Sequence, residues 1–143
     1  MATAETRSNF HGSWRFVSSE NYEAFIEAMY KDTEPDQPRR LTTPSETLDI
    51  AVQGDKFTIR GETTSHTMTV GQPQVDHNHW AEETRVARWQ GRSLVVSSPG
   101  GGGRWTTISE VADGDQLVIK YVTTGGLETK CFYKRVADDP TLD

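Results

Sequence analysis

The sequence predicts an all-β domain of about ten short antiparallel strands, closed as a barrel or stacked as a sandwich, with one amphipathic helix after the first strand. Short runs of alternating apolar and polar residues recur from Thr47 to Val136, parted by turn sequences such as Gln53-Gly54-Asp55, Gln90-Gly91-Arg92 and Thr124-Gly125-Gly126. Helical spacing of apolar residues stands out at Tyr22, Phe25, Ile26 and Met29. Three prolines, Pro35, Pro38 and Pro44, fall within ten residues and break any long helix there, since each removes an N–H donor and crowds the turn before it.

The 143 residues suffice for one domain with a real core and are too few for two comfortable ones. A chain 34% hydrophobic and 25% charged suits a barrel with a partly polar, water-containing interior, or a globule with a few long polar loops. The net charge of −6 argues against a general nucleic-acid binder, which normally carries a basic surface, without excluding a local basic patch. A single cysteine, Cys131, leaves no intramolecular disulfide. No apolar run approaches the roughly 18 residues of a membrane span, and the first ten residues lack the apolar centre of a signal peptide. The expectation is a soluble, cytoplasmic protein, with a signal peptide removed beforehand left open.

In chain order, residues 1–9 read as a flexible leader. Trp14, Phe16 and Ser18 alternate with Arg15, Val17 and Ser19 in a first strand. Ser19 or Asn21 then offers a side-chain oxygen to cap a helix over residues 20–30. Residues 47–52 and 56–60 form a hairpin about Gln53-Gly54-Asp55, and a strand over 63–70 follows. Two strands, 80–88 and 93–97, flank Gln90-Gly91-Arg92. The run Gly100 to Gly103 reads as a hairpin loop and not a phosphate cradle, because a strand pattern follows it where a cradle needs a helix N-terminus. Strands over 105–111, 116–123 and 127–136 complete the count, and residues 138–143 read as a flexible tail.

The opening, with Phe10, Gly12, Ser13, Trp14, Ser18, Ser19, Glu20, Asn21 and Tyr22, resembles the N-terminus of the intracellular lipid-binding proteins, the fatty acid-binding proteins and their retinoid-binding relatives. The Gly54-Asp55 turn, the Asp113-Gly114 hairpin and the closing Phe132-Tyr133-Lys134-Arg135-Val136 also resemble that family, and the likeness covers most of residues 10–137. It implies a ten-stranded, up-and-down antiparallel β-barrel of lipocalin or calycin type with a short helical lid. The family's second lid helix falls on residues 31–44, where the prolines allow at most one turn near Pro38 to Leu41.

The resemblance further implies a carrier with no catalytic residues and no cofactor, binding a fatty acid, retinoid or similar hydrophobic carboxylate. Burial of the alkyl chain is worth about 0.8 kcal/mol per CH2, while the carboxylate needs a cation or hydroxyl partner. The family places an Arg-x-Tyr pair for this on the last strand, helped by a second Arg two strands earlier. Here two registers compete. An ungapped count from Asp113-Gly114 gives Lys130 and Phe132; alignment of Thr124-Gly125 and the tail gives Cys131 and Tyr133, with Arg135 on the same face and Ser109 near the helper position. If Gly125-Gly126 is the turn, positions 130, 132 and 134 share a face with Leu117, Ile119 and Tyr121, which favours Lys130 and Phe132 as inward. The candidate ligand-binding residues are Lys130, Phe132, Tyr133 and Arg135, with Phe25, Ile26 and Met29 on the portal helix and Phe57, Ile59 and Met68 in the cavity.

His77-x-His79 puts two imidazoles on one strand face but lacks a third ligand, so no metal is expected. Adjacent acids such as Glu82-Glu83 face opposite ways on a strand, and no nucleophile–base arrangement is visible. The chain is expected to be a monomer with a small hydrophobic ligand and no nucleic-acid partner; transient membrane contact stays open. The alternative is a structural or protective barrel whose ligand binding is reduced or lost. A haem-binding barrel is weaker, for want of an inward histidine.

Overall fold

The structure is a computed structural model that describes residues 4–30, 46–61, 65–77, 82–97, 105–112, 115–123 and 125–140. The region of the second lid helix, residues 31–45, and His79 of the histidine pair lie outside the described residues. Ten antiparallel strands follow in order: β1 (Gly12–Glu20), β2 (Thr47–Gln53), β3 (Lys56–Arg60), β4 (Ser65–Thr69), β5 (Gln74–His77), β6 (Glu82–Gln90), β7 (Ser93–Ser97), β8 (Trp105–Ala112), β9 (Gln116–Thr123) and β10 (Glu128–Ala137). Their spatial order is β4-β3-β2-β1-β10-β9-β8-β7-β6-β5. Nine form one continuous sheet, and the four-residue β5 joins it through β6 alone, so the expected ten-stranded ring is nine strands plus one short attached strand. β4 and β5 stand at the two ends of this order. At one end of the barrel the chain between them is tied down: the Val70 N–H bonds the Asp55 carbonyl at 2.9 Å and the Gly71 N–H bonds the Ala87 carbonyl at 2.8 Å.

β1 serves both halves of the barrel, pairing with β2 over Gly12 to Arg15 and with β10 over Ser13 to Glu20. Its register against β10 slips between Phe16 and Ser18, and Val17 there is 61% exposed. An extra residue on one strand bends it and increases its twist, which suits a strand that must turn the corner between two faces.

Two helices accompany the strands. Residues 4–8 form α1 (Ala4–Ser8), where the sequence predicts a loose leader. The Phe10 and His11 N–H groups bond the Arg7 and Ser8 carbonyls, and Arg7 lies 3.7 Å from the Asp55 carboxylate. These contacts order the leader against the β2–β3 turn, and its polar composition gives no hint of them. α2 (Tyr22–Tyr30) is the expected helix. The Asn21 carbonyl accepts its first hydrogen bond, from the Phe25 N–H, so Asn21 holds the capping position. Its side chain does not cap; Nδ2 donates to the Glu128 carbonyl at 3.0 Å, across to the start of β10. No helix among the described residues is long and apolar enough to cross a membrane.

The closed end is plugged by aromatic side chains. Phe10, Phe57 and Trp89 meet pairwise with ring centres 5.7 to 5.9 Å apart. Trp14, with no exposed surface, donates its indole N–H to the Phe10 carbonyl at 3.1 Å. That acceptor spares Trp14 the cost of an unpaired N–H in low dielectric, whereas Nε1 of Trp89, in the same plug, is buried with no acceptor among the described residues.

Candidate ligand-binding site

Strand parity decides which side chains face the interior. On β10, Thr129, Cys131 and Tyr133 are buried, while Lys130 and Lys134 are exposed. Their partners agree: Thr129 faces Tyr121, Cys131 faces Ile119, and Tyr133 faces Leu117. The inward face of the last strand is therefore 129, 131, 133 and 135.

This corrects the expectation that Lys130 and Phe132 point inward. Thr123 and Leu127 close the connection, with the Thr123 N–H on the Leu127 carbonyl at 2.9 Å and the Leu127 N–H on Thr123 Oγ1 at 3.1 Å. Three residues separate that closing pair, so odd positions of β10 align with odd positions of β9. A two-residue turn, as the Gly125-Gly126 reading assumes, would pair odd with even. Lys130 instead lies opposite Lys120 on the outer face, where Lys120 stands 3.7 Å from Glu128. Phe132 is half-buried on that same outer face, opposite Val118.

Arg135 shares the inward parity but sits at the closed end. Its Nη1 donates to the His11 carbonyl at 2.7 Å and its Nη2 to the Asn9 carbonyl, and the guanidinium lies 4.3 Å from the Trp14 ring centre. A shallow cleft of about 430 Å³ opens beside it, lined by Ser8, Asn9, His11, Val52 and Asp138. Arg135 thus fastens the N-terminal segment, away from the middle of the barrel where a headgroup would be expected.

The two inner walls differ in chemistry. β2, β3 and β4 present Leu48, Ile50, Phe57, Ile59 and Met68, with Ile50 opposite Ile59, Phe57 opposite Met68 and the exposed His66 opposite Ile59. Phe57 belongs to the aromatic plug; Ile59 and Met68 are half-buried above it. β8, β9 and β10 present Thr107, Ser109, Tyr121, Thr129, Cys131 and Tyr133 at inward positions, together with the apolar Val111, Leu117 and Ile119. Thr129 Oγ1 donates to the Glu20 carbonyl at 2.6 Å, so its hydroxyl serves the end of β1. Burial pushes the Cys131 thiol up to about 12. It also raises the Tyr121 phenol well above its ordinary value, and the neighbouring Cys131, Tyr133 and Tyr22 add to that by disfavouring a further negative charge. This wall offers neutral hydroxyl and thiol groups. Tyr133 packs edge-on against Phe16, with ring centres 5.7 Å apart.

At the other end α2 covers part of the mouth. Phe25 is buried, with its ring 5.7 Å from that of Tyr121. The side chains of Ile26 and Met29 lie outside the described ones.

One inward residue escapes the sequence reading. Arg85 on β6 is buried, and it donates from Nη2 to the Val96 carbonyl at 2.8 Å and from Nη1 to the Trp105 carbonyl at 3.2 Å. Its guanidinium carbon lies 4.7 Å from the Trp105 ring centre. The signal was present in the chain: a two-residue turn at Gly91-Arg92 sets Trp89 opposite Leu94, and the odd positions of β6, Arg85 included, follow Trp89 inward.

Fold and inner walls together define a small, nearly closed antiparallel barrel of the up-and-down kind. Among solved structures, the chain is similar to a REP1-NXSQ fatty acid transporter at 19% identity and a TM-score of 0.74, over 95% of this chain and 99% of the other. It is equally similar to a Tyr-to-Phe mutant of that transporter, at 18% identity and a TM-score of 0.74, over 90% of this chain and 99% of the other. No family model matches the sequence. The likeness extends nearly end to end and shows that this chain has the barrel fold of those fatty acid transporters.

Proposed function

We propose that the chain is a non-enzymatic, cytoplasmic and monomeric carrier that takes a fatty acid, retinoid or similar apolar carboxylate inside the barrel. The observation that carries this reading is the interior: a largely apolar wall on β2 to β4 faces a wall on β8 to β10 in which hydroxyl, thiol and phenol groups stand among Val111, Leu117 and Ile119. An apolar chain gains from burial against the first, and a polar headgroup finds hydrogen-bond partners on the second. The shared fold with fatty acid transporters supports the same class of ligand. Tyr133, Ile59 and Met68 are the candidate contacts that hold inward positions, with Phe25 at the mouth. The test is calorimetric titration with oleate and with retinoic acid. Saturable binding of one molecule per chain is expected; no binding of either refutes the reading.

A second reading, a structural or protective barrel with reduced ligand binding, draws on one observation. The inward basic group of the last strand, Arg135, is bonded to the backbone of the N-terminal segment. The same titration separates the two.

A further inference from the structure

The geometry points to the outer seam between β1 and β10 as a docking surface for a bilayer that carries anionic lipid. This goes beyond the carrier reading and does not rest on it. Among the described residues, the large hydrophobic side chains left exposed are Val17 and Val136, at 61% and 52%. Both stand at slips in the β1–β10 register. Phe16 faces Tyr133 and Ser18 faces Phe132, so Val17 has no residue opposite it. Ser13 faces Ala137 and Trp14 faces Arg135, so Val136 has none either. Neither valine is covered by a directly opposed side chain, as a regular strand pair would arrange. Phe132, half-buried on the same outer face, adjoins Val17.

Cations alternate with these apolar groups along the seam. Arg15 and Lys134 lie opposite each other between the two valines, and Lys130 lies beyond Val17, opposite Glu20; all three cations are exposed. They form no ion pair with the described residues. From Ser13 to Ser19 on β1 and from Lys130 to Ala137 on β10 there is no acid, in a chain whose net charge is −6. Acids border the stripe instead: Asp49 opposite Ser13, Glu20 opposite Lys130, and Glu128 beside Lys120. Two like-charge pairs are directly opposed, Arg15 with Lys134 and Lys130 with Lys120. Such pairs weaken a sheet, and an anionic surface laid over them relieves the repulsion.

A bilayer fits this stripe better than a protein partner does. β1 and β10 are paired to each other along the seam, so it offers no free edge to an added strand. Two copies joined about a twofold axis would set one basic stripe against the other. A bilayer accepts valine tips at the boundary between headgroups and acyl chains, while its anionic headgroups meet the cations between them. Each cation near such a surface is worth about fivefold in affinity. With three cations and two small apolar tips the contact is reversible and falls with salt.

The experiment is co-sedimentation with vesicles of equimolar phosphatidylserine and phosphatidylcholine, and with vesicles of phosphatidylcholine alone. The wild type should bind the mixed vesicles about tenfold or more tightly than the neutral ones, and about 1 M salt should release it. Arg15→Gln, Lys130→Gln and Lys134→Gln combined should abolish that preference. Val17→Ser with Val136→Ser should weaken binding to mixed vesicles by about threefold or more. The control Arg88→Gln, exposed on β6 four strands from β10, should behave as the wild type. No preference in the wild type, or a preference that survives the triple substitution, overturns the assignment. Binding to soluble polyglutamate that matches the mixed vesicles and ignores the valine substitutions assigns the stripe to an acidic macromolecule and overturns it too. Should a combined variant not fold, Val17→Cys carrying a polarity-sensitive dye decides, since Cys131 is buried and escapes labelling. Its emission should shift to the blue on mixed vesicles alone; no shift overturns the assignment. Every one of these outcomes leaves the oleate titration, and with it the carrier reading, to be judged separately.

Discussion

The guanidinium of Arg135 lies 4.3 Å from the centre of the Trp14 ring, and the same side chain bonds the carbonyls of Asn9 and His11. A residue of the last strand thereby holds the segment that leads into the first.

Trp14→Ala should destabilise the protein by about 3 to 5 kcal/mol, as large core truncations do. It removes a fully buried ring and orphans the Phe10 carbonyl. Arg135→Gln should cost about 1 to 3 kcal/mol, the range for losing buried hydrogen bonds to a charged donor. Urea unfolding measures both; an unchanged midpoint for Trp14→Ala would contradict its place in the core.

Gly12 explains why the first strand begins as it does. Its φ is +149°, and a Cβ there would lie 2.8 Å from the Ala137 carbonyl and 2.5 Å from Arg135 Nη1. The arginine tip can swing aside, whereas the backbone carbonyl belongs to the β1–β10 pairing. Gly12→Ala should therefore cost about 2 kcal/mol or more, and removing the Arg135 side chain in the same chain should relieve only part of the clash. A double-mutant cycle by urea unfolding reads that residual.

Stability should fall at alkaline pH. The folded Cys131 thiol keeps its proton up to about 12, against an ordinary 9.0. Deprotonation therefore favours the unfolded chain: the contribution is complete below pH 9 and is lost as pH climbs toward 12. The slope in that window is about 1 kcal/mol per pH unit for one group. Tyr121, also raised, acts in the same direction from its ordinary 10.0 upward. Cys131→Ala should flatten the curve between pH 9 and 12. A thiol reagent at pH 8 should label Cys131 no faster than the protein opens.

Asn21 has a φ of 62°, a conformation Asn and Gly tolerate, and its side chain ties the start of α2 to Glu128. Asn21→Gly keeps the backbone and loses the tie; Asn21→Ala loses both. Amide exchange in α2 should quicken in each, and Asn21→Ala should be the less stable by about 1 kcal/mol. Equal stability would show that the backbone is unstrained there.

Much of the barrel was legible because turns and alternation are local. The Gln53-Gly54-Asp55 hairpin and the helix after Asn21 need only neighbours in sequence. The inward face of β10 was not legible, because it depends on whether three residues or two close the loop at Thr123 and Leu127, and a Thr-Gly-Gly sequence suits either. Of the two registers the sequence allows, the two-residue turn is the one that favours Lys130 and Phe132 as inward. Arg85 was missed for the opposite reason. Its parity followed from Trp89 and Leu94, but an arginine on a strand reads as solvated until its acceptors, two carbonyls from other strands, are known. The order of residues 4–9 was invisible in the same way, since it comes from Asp55 and Arg135, far along the chain.

The pairing of β1 with β10 also governs how the chain is made. Translation delivers the first strand more than a hundred residues before its partner. Until Glu128–Ala137 leaves the ribosome, the nascent sheet keeps an open edge on β1 and another on β9, and Trp14 lacks the cation that covers it. Contacts so far apart in sequence form late and slowly. A ribosome-stalled chain ending before Glu128 should be cut readily by a protease, and a chain extended past Ala137 by a linker long enough to bring β10 out of the ribosome should become resistant in a single step. Nascent chains are thus exposed to chaperones, and to one another, for nearly the whole of their synthesis.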